Sequence, residues 1–132
     1  MIMVDTSAWI EYFKNSTSVV VKNIDYCLQH NLIAMGDLIY CEIMQGIKDK
    51  KERDQLSSLF LSLPKFDMVG FEIAAKSAEN YRQLRFKGIT VRKTIDVLIA
   101  TFCIEKKFQI IHNDKDFNVM SDHLGLEIYS HR

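Results

Sequence analysis

The sequence is poor in the features that mark membrane, secreted and low-complexity proteins. It has one proline and five glycines in 132 residues, too few for long flexible linkers. It has no apolar run long enough to span a membrane, and no basic segment precedes its first apolar residues, as a signal peptide requires. We therefore expect one domain that occupies residues 1–132 and makes no contact with a membrane.

Cysteine is also scarce, and the charges of the chain balance. Cys27, Cys41 and Cys103 are an odd number of thiols with no metal-ligand spacing, and we interpret them as reduced core residues of a cytoplasmic protein. Seventeen acidic and seventeen basic side chains give a net charge of zero, which excludes a global basic field of the kind that attracts nucleic acids. Any contact with RNA must then come from a local patch.

Short apolar segments alternate with longer segments of helical periodicity. We predict strands at residues 1–4, 32–35, 66–69, 108–111 and 126–129, separated by helices that include 19–30, 38–47, 56–63, 72–86 and 94–104. Strands that alternate with helices indicate an α/β fold in which a mainly parallel sheet is covered by helices on both faces. The phenylalanine and tyrosine side chains are then expected to be core residues.

The segment from Thr94 to Thr101 is nearly all apolar and carries one carboxylate, that of Asp96. It predicts a buried helix with Thr94 as its N-cap and Asp96 in its first turn. A carboxylate is costly to bury unless a helix N-terminus, hydrogen bonds or a metal ion offsets the cost. Asp96 therefore either supports the start of the helix or belongs to a functional site.

Other acidic side chains follow the predicted strands. Asp5 ends the first strand, Glu42 lies early in the helix after the second, and Asp114 and Asp116 follow the fourth. Ligands of open α/β sheets bind beyond the carboxyl ends of the strands, so these carboxylates and Asp96 can meet at one edge. Two unit charges about 4 Å apart repel by roughly 4 kcal/mol at an effective dielectric near 20, so such a cluster indicates a bound cation.

Oxygen ligands without histidine or cysteine favour Mg²⁺ or Mn²⁺ over Zn²⁺. Such a site suits phosphodiester hydrolysis, because the metal activates water and stabilises charge on the phosphate. Each residue also has an ordinary alternative: Asp5, Asp114 and Asp116 could be cap or turn residues, and Glu42 could be a surface residue paired with a lysine. The combination favours a site.

Four segments of the chain carry a family resemblance, and in order they are Met3-Val4-Asp5-Thr6-Ser7, Glu42 with Gly46, Thr94-Ile95-Asp96-Val97-Leu98-Ile99-Ala100, and Asp114-Lys115-Asp116-Phe117. Together they resemble the motifs of the PIN-domain ribonucleases. The short length of the chain resembles that of the VapC-type toxins within this family. The resemblance implies a three-layer α/β/α fold and metal-dependent cleavage of RNA by the toxin of a toxin–antitoxin pair. It implies catalytic roles for Asp5, Glu42, Asp96 and Asp114, and binding of Mg²⁺ or Mn²⁺ by Asp5, Asp96, Asp114 and Asp116. It also places Thr6 or Ser7 at a polar position beside the first aspartate.

The resemblance further implies a homodimer and a cognate antitoxin that wraps the domain and offers a basic side chain to the acidic site. The apolar side chains of Trp9, Tyr12 and Phe13 agree with a dimer, since we expect them to exceed what one small core covers. Two positions depart from the family pattern. His112 stands where threonine is common, and Cys103 stands where a small alanine is usual.

A local basic group precedes Asp96, and its members are Arg82, Arg85, Lys87, Arg92 and Lys93. It is either a solvated helix face and loop or a set of phosphate contacts at the mouth of the acidic site, which affect affinity more than sequence choice. On the second interpretation Arg85, Arg92 and Lys93 contact the substrate together with Thr6 and Ser7.

Two other functions are compatible with the sequence. A strand-end aspartate also occurs in phosphoryl-transfer domains such as receiver domains and haloacid-dehalogenase-like phosphatases, although Asp5-Thr6-Ser7 lacks the second aspartate of an Asp-x-Asp nucleophile motif. A non-catalytic module could instead use its acidic rim to bind a basic protein. Metal-dependent RNA cleavage would separate the nuclease from both.

Overall fold

The computed structural model describes residues 1–14 and 16–131, and in these residues four strands alternate with seven helices. The strands are β1 (Ile2–Val4), β2 (Ile33–Gly36), β3 (Lys65–Phe66) and β4 (Gln109–Ile111). The helices are α1 (Thr6–Phe13), α2 (Val19–Gln29), α3 (Asp37–Gln45), α4 (Lys50–Ser62), α5 (Phe71–Phe86), α6 (Thr94–Lys106) and α7 (Lys115–Leu124). None of the helices in this part of the chain combines the length and the apolar character needed to cross a membrane.

The strands form one parallel sheet in the order β3-β2-β1-β4, which confirms the predicted α/β fold. Ile2 of β1 pairs with Ile33 on one side and with Gln109 on the other, so the first strand lies inside the sheet. Every residue of β1 and β2 is buried, as expected for parallel strands covered by helices on both faces. Because the strands are parallel, Asp5 and His112 follow carboxyl ends at the same edge of the sheet.

Two predicted strands differ from the structure. β3 ends at Phe66, because the backbone N–H of Met68 donates a hydrogen bond to the Asp37 carboxylate at 3.0 Å and so leaves the sheet. The strand predicted at 126–129 is a single parallel bridge between Ile110 and Ile128. Both strands were predicted too long because an apolar run has the same periodicity whether or not its backbone joins a ladder.

Helix α6 is the buried helix that the sequence predicts, and seven of its 13 residues are buried, including Asp96. Thr94 is its first residue and not its N-cap, which corrects the prediction by one position. Lys93 occupies the N-cap position in an extended conformation and makes no side-chain cap bond. Asp96 is therefore the third residue of the helix, where a carboxylate meets free N–H groups and the positive end of the helix dipole.

The prediction that the apolar side chains of α1 exceed what the core covers is wrong for Trp9. Its side chain is fully buried, and its ring centroid lies 5.1 Å from that of Phe60. Tyr12 and Phe13 are half-buried and pack against the same core. The first helix therefore contributes most of its aromatic surface to the domain itself.

The prediction that all aromatic residues lie in the core is wrong at two positions. Phe71 and Phe86, the first and last residues of α5, are 96% and 94% exposed. Cys41 is also exposed, although the other two cysteines are buried as predicted. Helical periodicity does not distinguish a helix end that packs from one that projects into solvent.

Candidate metal centre

Asp5 lies at the carboxyl end of β1 and is 3% exposed. Its carboxylate caps α1, because Oδ2 accepts hydrogen bonds from the backbone N–H of Ser7 at 3.0 Å and from the Ser7 hydroxyl at 2.6 Å. Its other oxygen, Oδ1, is buried and accepts no hydrogen bond from the described residues. The cap thus uses one oxygen of Asp5 and leaves the second free for another ligand.

Two hydroxyl groups beside Asp5 connect it to other elements. The Ser7 hydroxyl accepts a hydrogen bond from the backbone N–H of Asn113 at 2.9 Å, which ties the end of β1 to the segment after β4. The Thr6 hydroxyl donates to Oε1 of Glu42 at 2.7 Å, which fixes the α3 carboxylate relative to α1. These contacts bring residues that are 106 and 36 positions apart to one edge of the sheet.

Three carboxylates lie close enough together to share one metal ion. Asp96, Asp114 and Asp116 each offer an oxygen, and these oxygens all lie within 4.8 Å of one another. Asp114 is the N-cap of α7, and its Oδ1 accepts the backbone N–H of Asp116 at 3.0 Å. Asp96 comes from the first turn of α6. The group is therefore built from the starts of two helices.

The electrostatics of the group follow from burial and from like charges. Burial, together with the charges of Asp5, Asp114 and Glu42, raises the pKa of Asp96 from 3.8 to about 7, and Lys93 opposes this rise. Burial also raises the pKa of Asp5, and the hydrogen bonds from Ser7 oppose that rise. Without a cation, Asp96 therefore holds a proton to a higher pH than an ordinary aspartate does.

The residues present fit a hard divalent cation. Oδ2 of Asp96, like Oδ1 of Asp5, is buried and has no hydrogen-bond donor within residues 1–14 and 16–131. A buried carboxylate oxygen without a hydrogen-bond donor has lost its hydrating water and gained no partner in return. A bound cation would compensate for this loss. The candidate metal ligands are all carboxylate oxygens, which Mg²⁺ and Mn²⁺ prefer. Asp5, Asp96, Asp114 and Asp116 remain our predicted ligands.

The predicted basic residues are all exposed, but they differ in their relation to the acidic group. Arg92 forms an ion pair with Asp116, with 3.8 Å between Nε and Oδ2. Lys93 is close enough to lower the pKa of Asp96. Arg85 lies over the ring of Tyr81, 6.0 Å from its centroid, and forms no ion pair with a described residue. Arg92 and Lys93 thus border the acidic group.

His112 lies near the acidic group, and the sequence alone predicts no role for it beyond its departure from the family pattern. His112 accepts a hydrogen bond from the backbone N–H of Asp114 through Nδ1 at 3.1 Å. Burial lowers the pKa of His112, and a ring that accepts at Nδ1 carries its proton on Nε2. His112 therefore supplies the acceptor that a threonine hydroxyl could supply, and its position directly after β4 was the available signal.

The Ser7 hydroxyl is expected to contribute measurably to stability, because it serves Asp5 and Asn113 together. We expect Ser7→Ala to lower the free energy of unfolding by about 1–3 kcal/mol, since it removes one of the two donors to a buried carboxylate. Urea denaturation in EDTA measures the change. Ser58→Ala, at an exposed position of α4, is the control, and equal midpoints for the two variants would contradict this role of Ser7.

Comparison with known proteins assigns a family to this fold. The PIN domain model matches residues 2–122. The chain belongs to the PIN-domain family. It is 36% identical to Ribonuclease VapC11 of Mycobacterium tuberculosis over an alignment of 137 residues that covers 100% of both chains. It is 26% identical to Ribonuclease VapC2 of Rickettsia felis, with 87% of this chain and 88% of that protein covered.

Solved structures show the same PIN-domain fold. The VapBC2 structure from Rickettsia felis, bound to a DNA fragment from its promoter, superposes with a TM-score of 0.76 at 21% identity and covers 100% of both chains. The DNA-bound VapBC structure from Salmonella typhimurium superposes with a TM-score of 0.75 at 17% identity and covers 97% of this chain and 96% of that chain. The resemblance to the PIN-domain ribonucleases in the sequence motifs is thereby confirmed.

Proposed function

We propose that this PIN-domain chain is a metal-dependent endoribonuclease that hydrolyses RNA phosphodiester bonds, and that it is the toxin of a type II toxin–antitoxin pair. The observation that carries the proposal is the group of Asp96, Asp114 and Asp116, whose oxygens lie within 4.8 Å of one another. The 36% identity to a VapC ribonuclease supports the same activity. A phosphoryl-transfer role has less support, because Asp5 is buried and caps α1.

In this proposal Asp5, Asp96, Asp114 and Asp116 hold one or more Mg²⁺ or Mn²⁺ ions. When bound, the ion activates water and stabilises negative charge on the scissile phosphate. The protein prepares the site through its own contacts. Ser7 holds Asp5 in place, and Thr6 holds Oε1 of Glu42 at 2.7 Å. The second oxygen of Glu42 is then available to accept a proton during hydrolysis.

The basic residues give the RNA a place to bind. Arg92 and Lys93 lie beside the acidic group, and we propose that they contact phosphates on either side of the scissile bond. Arg85 is exposed on the preceding helix and is proposed to contact the backbone farther away. Thr6 and Ser7 complete the proposed contacts at the site. Such contacts position the RNA and carry little sequence information.

A cognate antitoxin is the proposed partner, because the structurally similar chains come from VapBC complexes and the acidic site offers a counter-charge to a basic side chain. A homodimer remains our prediction from the family resemblance. We also propose a cytoplasmic location, which the three unpaired cysteines support. Co-expression with the product of the adjacent gene tests the partner: growth should be restored, and unchanged toxicity would count against that antitoxin.

The activity is tested with purified protein and a defined single-stranded RNA. We expect cleavage in Mg²⁺ or Mn²⁺, none in EDTA, and recovery when the metal is added back. The Asp96→Asn variant, purified in parallel, controls for contaminating nucleases. Phosphate-donor labelling of the wild type addresses phosphoryl transfer. If the protein acquires no acid-stable label, the result agrees with the nuclease. A labelled aspartate without RNA cleavage would contradict the nuclease.

A further inference from the structure

Helix α5 carries an exposed phenylalanine at each end. Phe71 and Phe86 are 96% and 94% exposed, whereas Leu84 and Val91 on either side of Phe86 are buried, at 1% and 3%. Gly88 turns the chain between them with a φ of 77°, a conformation that glycine adopts without steric cost. The backbone around Phe86 is thus anchored to the core at both sides, and the ring is held in solvent.

The two rings differ in the charge around them. Phe86 lies between Arg85 and Lys87, and residues 82–93 contain five basic side chains and no acidic one. Because the net charge of the chain is zero, the rest of the molecule carries a net charge of −5. Phe71 instead adjoins Glu72, and the charged side chains that line the surface depression beside it are three acidic ones, Asp67, Glu72 and Glu105, and one basic one, Lys106.

The basic segment leads directly to the acidic group. Arg92, which pairs with Asp116 at 3.8 Å, is six residues after Phe86. A fully extended chain spans at most about 3.6 Å per residue, so the Cα atoms of Phe86 and Arg92 lie within roughly 22 Å of each other. A strand of RNA cut at the acidic group can therefore extend to Phe86 within a few nucleotides.

An exposed aromatic ring among cations is the combination that binds single-stranded nucleic acid. Cations neutralise phosphates, and a base stacks on the ring with a contribution of about 1–3 kcal/mol that does not depend on base identity. Isolated exposed phenylalanines need no functional explanation. Phe86 differs because Arg82, Arg85 and Lys87 form no ion pairs with described residues and so remain available for phosphates.

We propose that Phe86 stacks against an unpaired base of the RNA substrate while Arg85 and Lys87 contact the flanking phosphates. The inference rests on the proposed ribonuclease function and adds a binding residue outside the acidic group. It assigns Phe86 to substrate affinity and not to the chemical step.

Single-turnover cleavage of a single-stranded RNA in Mg²⁺, with the enzyme in excess and varied in concentration, tests the assignment. We expect Phe86→Ala to raise the enzyme concentration that gives the half-maximal cleavage rate by about tenfold, because one stacked base is lost. The maximal cleavage rate should stay within about twofold of the wild-type rate. Phe71→Ala is the matched control, because it removes an equally exposed ring from the same helix, and it should change neither value. Phe86→Trp should retain affinity, and its fluorescence should be quenched when RNA is added in EDTA.

The outcomes separate the two proposals. If the wild type cleaves RNA and Phe86→Ala has an unchanged half-maximal concentration, the stacking inference is overturned and the ribonuclease stands. If Phe86→Ala changes the oligomeric state in sedimentation without changing RNA affinity, Phe86 contacts a second copy and the inference is again overturned. If the wild type neither binds nor cleaves RNA, both proposals fail together.

Discussion

Asp96→Asn is expected to reduce the rate of Mg²⁺-dependent RNA cleavage by about a hundredfold or more. Loss of an outer-shell partner of a metal ligand already costs about 10- to 100-fold, and this change removes the charge of a proposed ligand itself. Asparagine has nearly the same size as aspartate, and Asp96 is not the cap of α6, because Lys93 occupies the N-cap position. The variant therefore retains the start of α6 and removes the ionisable oxygen, so that cleavage assays report on the metal site.

The matched control for this variant is Asp37→Asn. Asp37 is also an aspartate in the first turn of a helix, but it is exposed, and its carboxylate accepts hydrogen bonds from Leu38 and Met68 that an asparagine oxygen can also accept. We expect wild-type cleavage from this control. Added Mg²⁺ should raise the melting temperature of the wild type and of Asp37→Asn but not that of Asp96→Asn, because a ligand stabilises only the state that binds it. Full activity in Asp96→Asn would leave Asp96 with a structural role only.

The metal-free protein is expected to lose stability as the pH rises from about 4 to about 7. The pKa of Asp96 is about 7 in the folded protein and 3.8 ordinarily, so between these values the folded state binds a proton that the unfolded state has released. The free energy of unfolding therefore falls between about pH 4 and pH 7 by up to roughly 4 kcal/mol, because each unit of pKa difference contributes about 1.4 kcal/mol. Above about pH 7 this contribution no longer changes with pH. The raised pKa of Asp5 acts in the same direction.

Urea denaturation in EDTA at a series of pH values measures this loss. Asp96→Asn should show a much smaller decrease and should be more stable than the wild type at pH 8, because the repulsion from Asp5 and Asp114 is removed. Saturating Mg²⁺ should abolish the decrease in the wild type, since the cation replaces the proton. A wild-type stability that is constant or increases between pH 4 and pH 7 would contradict the burial of an uncompensated carboxylate at this position.

The sequence was sufficient to predict the order of strands and helices and the elements that carry the acidic residues. Strand-end positions such as Asp5 and helix-start positions such as Asp96 follow from local apolar periodicity, and a parallel sheet then brings strand ends to one edge. The bond between Thr6 and Glu42 and the one between Ser7 and Asn113 were not predictable. These bonds depend on how helices and loops pack against each other. Such packing leaves no local pattern in a single sequence.

The differences between the predicted and the observed structure have two physical causes. The strand predicted at 66–69 ended early because Met68 donates to Asp37, a contact between residues 31 positions apart. Apolar character predicts Phe71 and Phe86 to be core residues, although they are the two ends of α5 and are exposed. Long-range contacts and helix ends decided these outcomes, whereas local pattern decided the elements that were predicted correctly.

The most direct test of the proposed site is anomalous diffraction from crystals of this protein grown with Mn²⁺. We predict an anomalous difference peak at the edge of the sheet, in contact with carboxylate oxygens of Asp5, Asp96, Asp114 and Asp116. Crystals of Asp96→Asn grown in the same way should lack the peak or show it much weakened. A strong Mn²⁺ peak elsewhere, for example at Asp37, with none between Asp96 and Asp114 would contradict the proposed metal site.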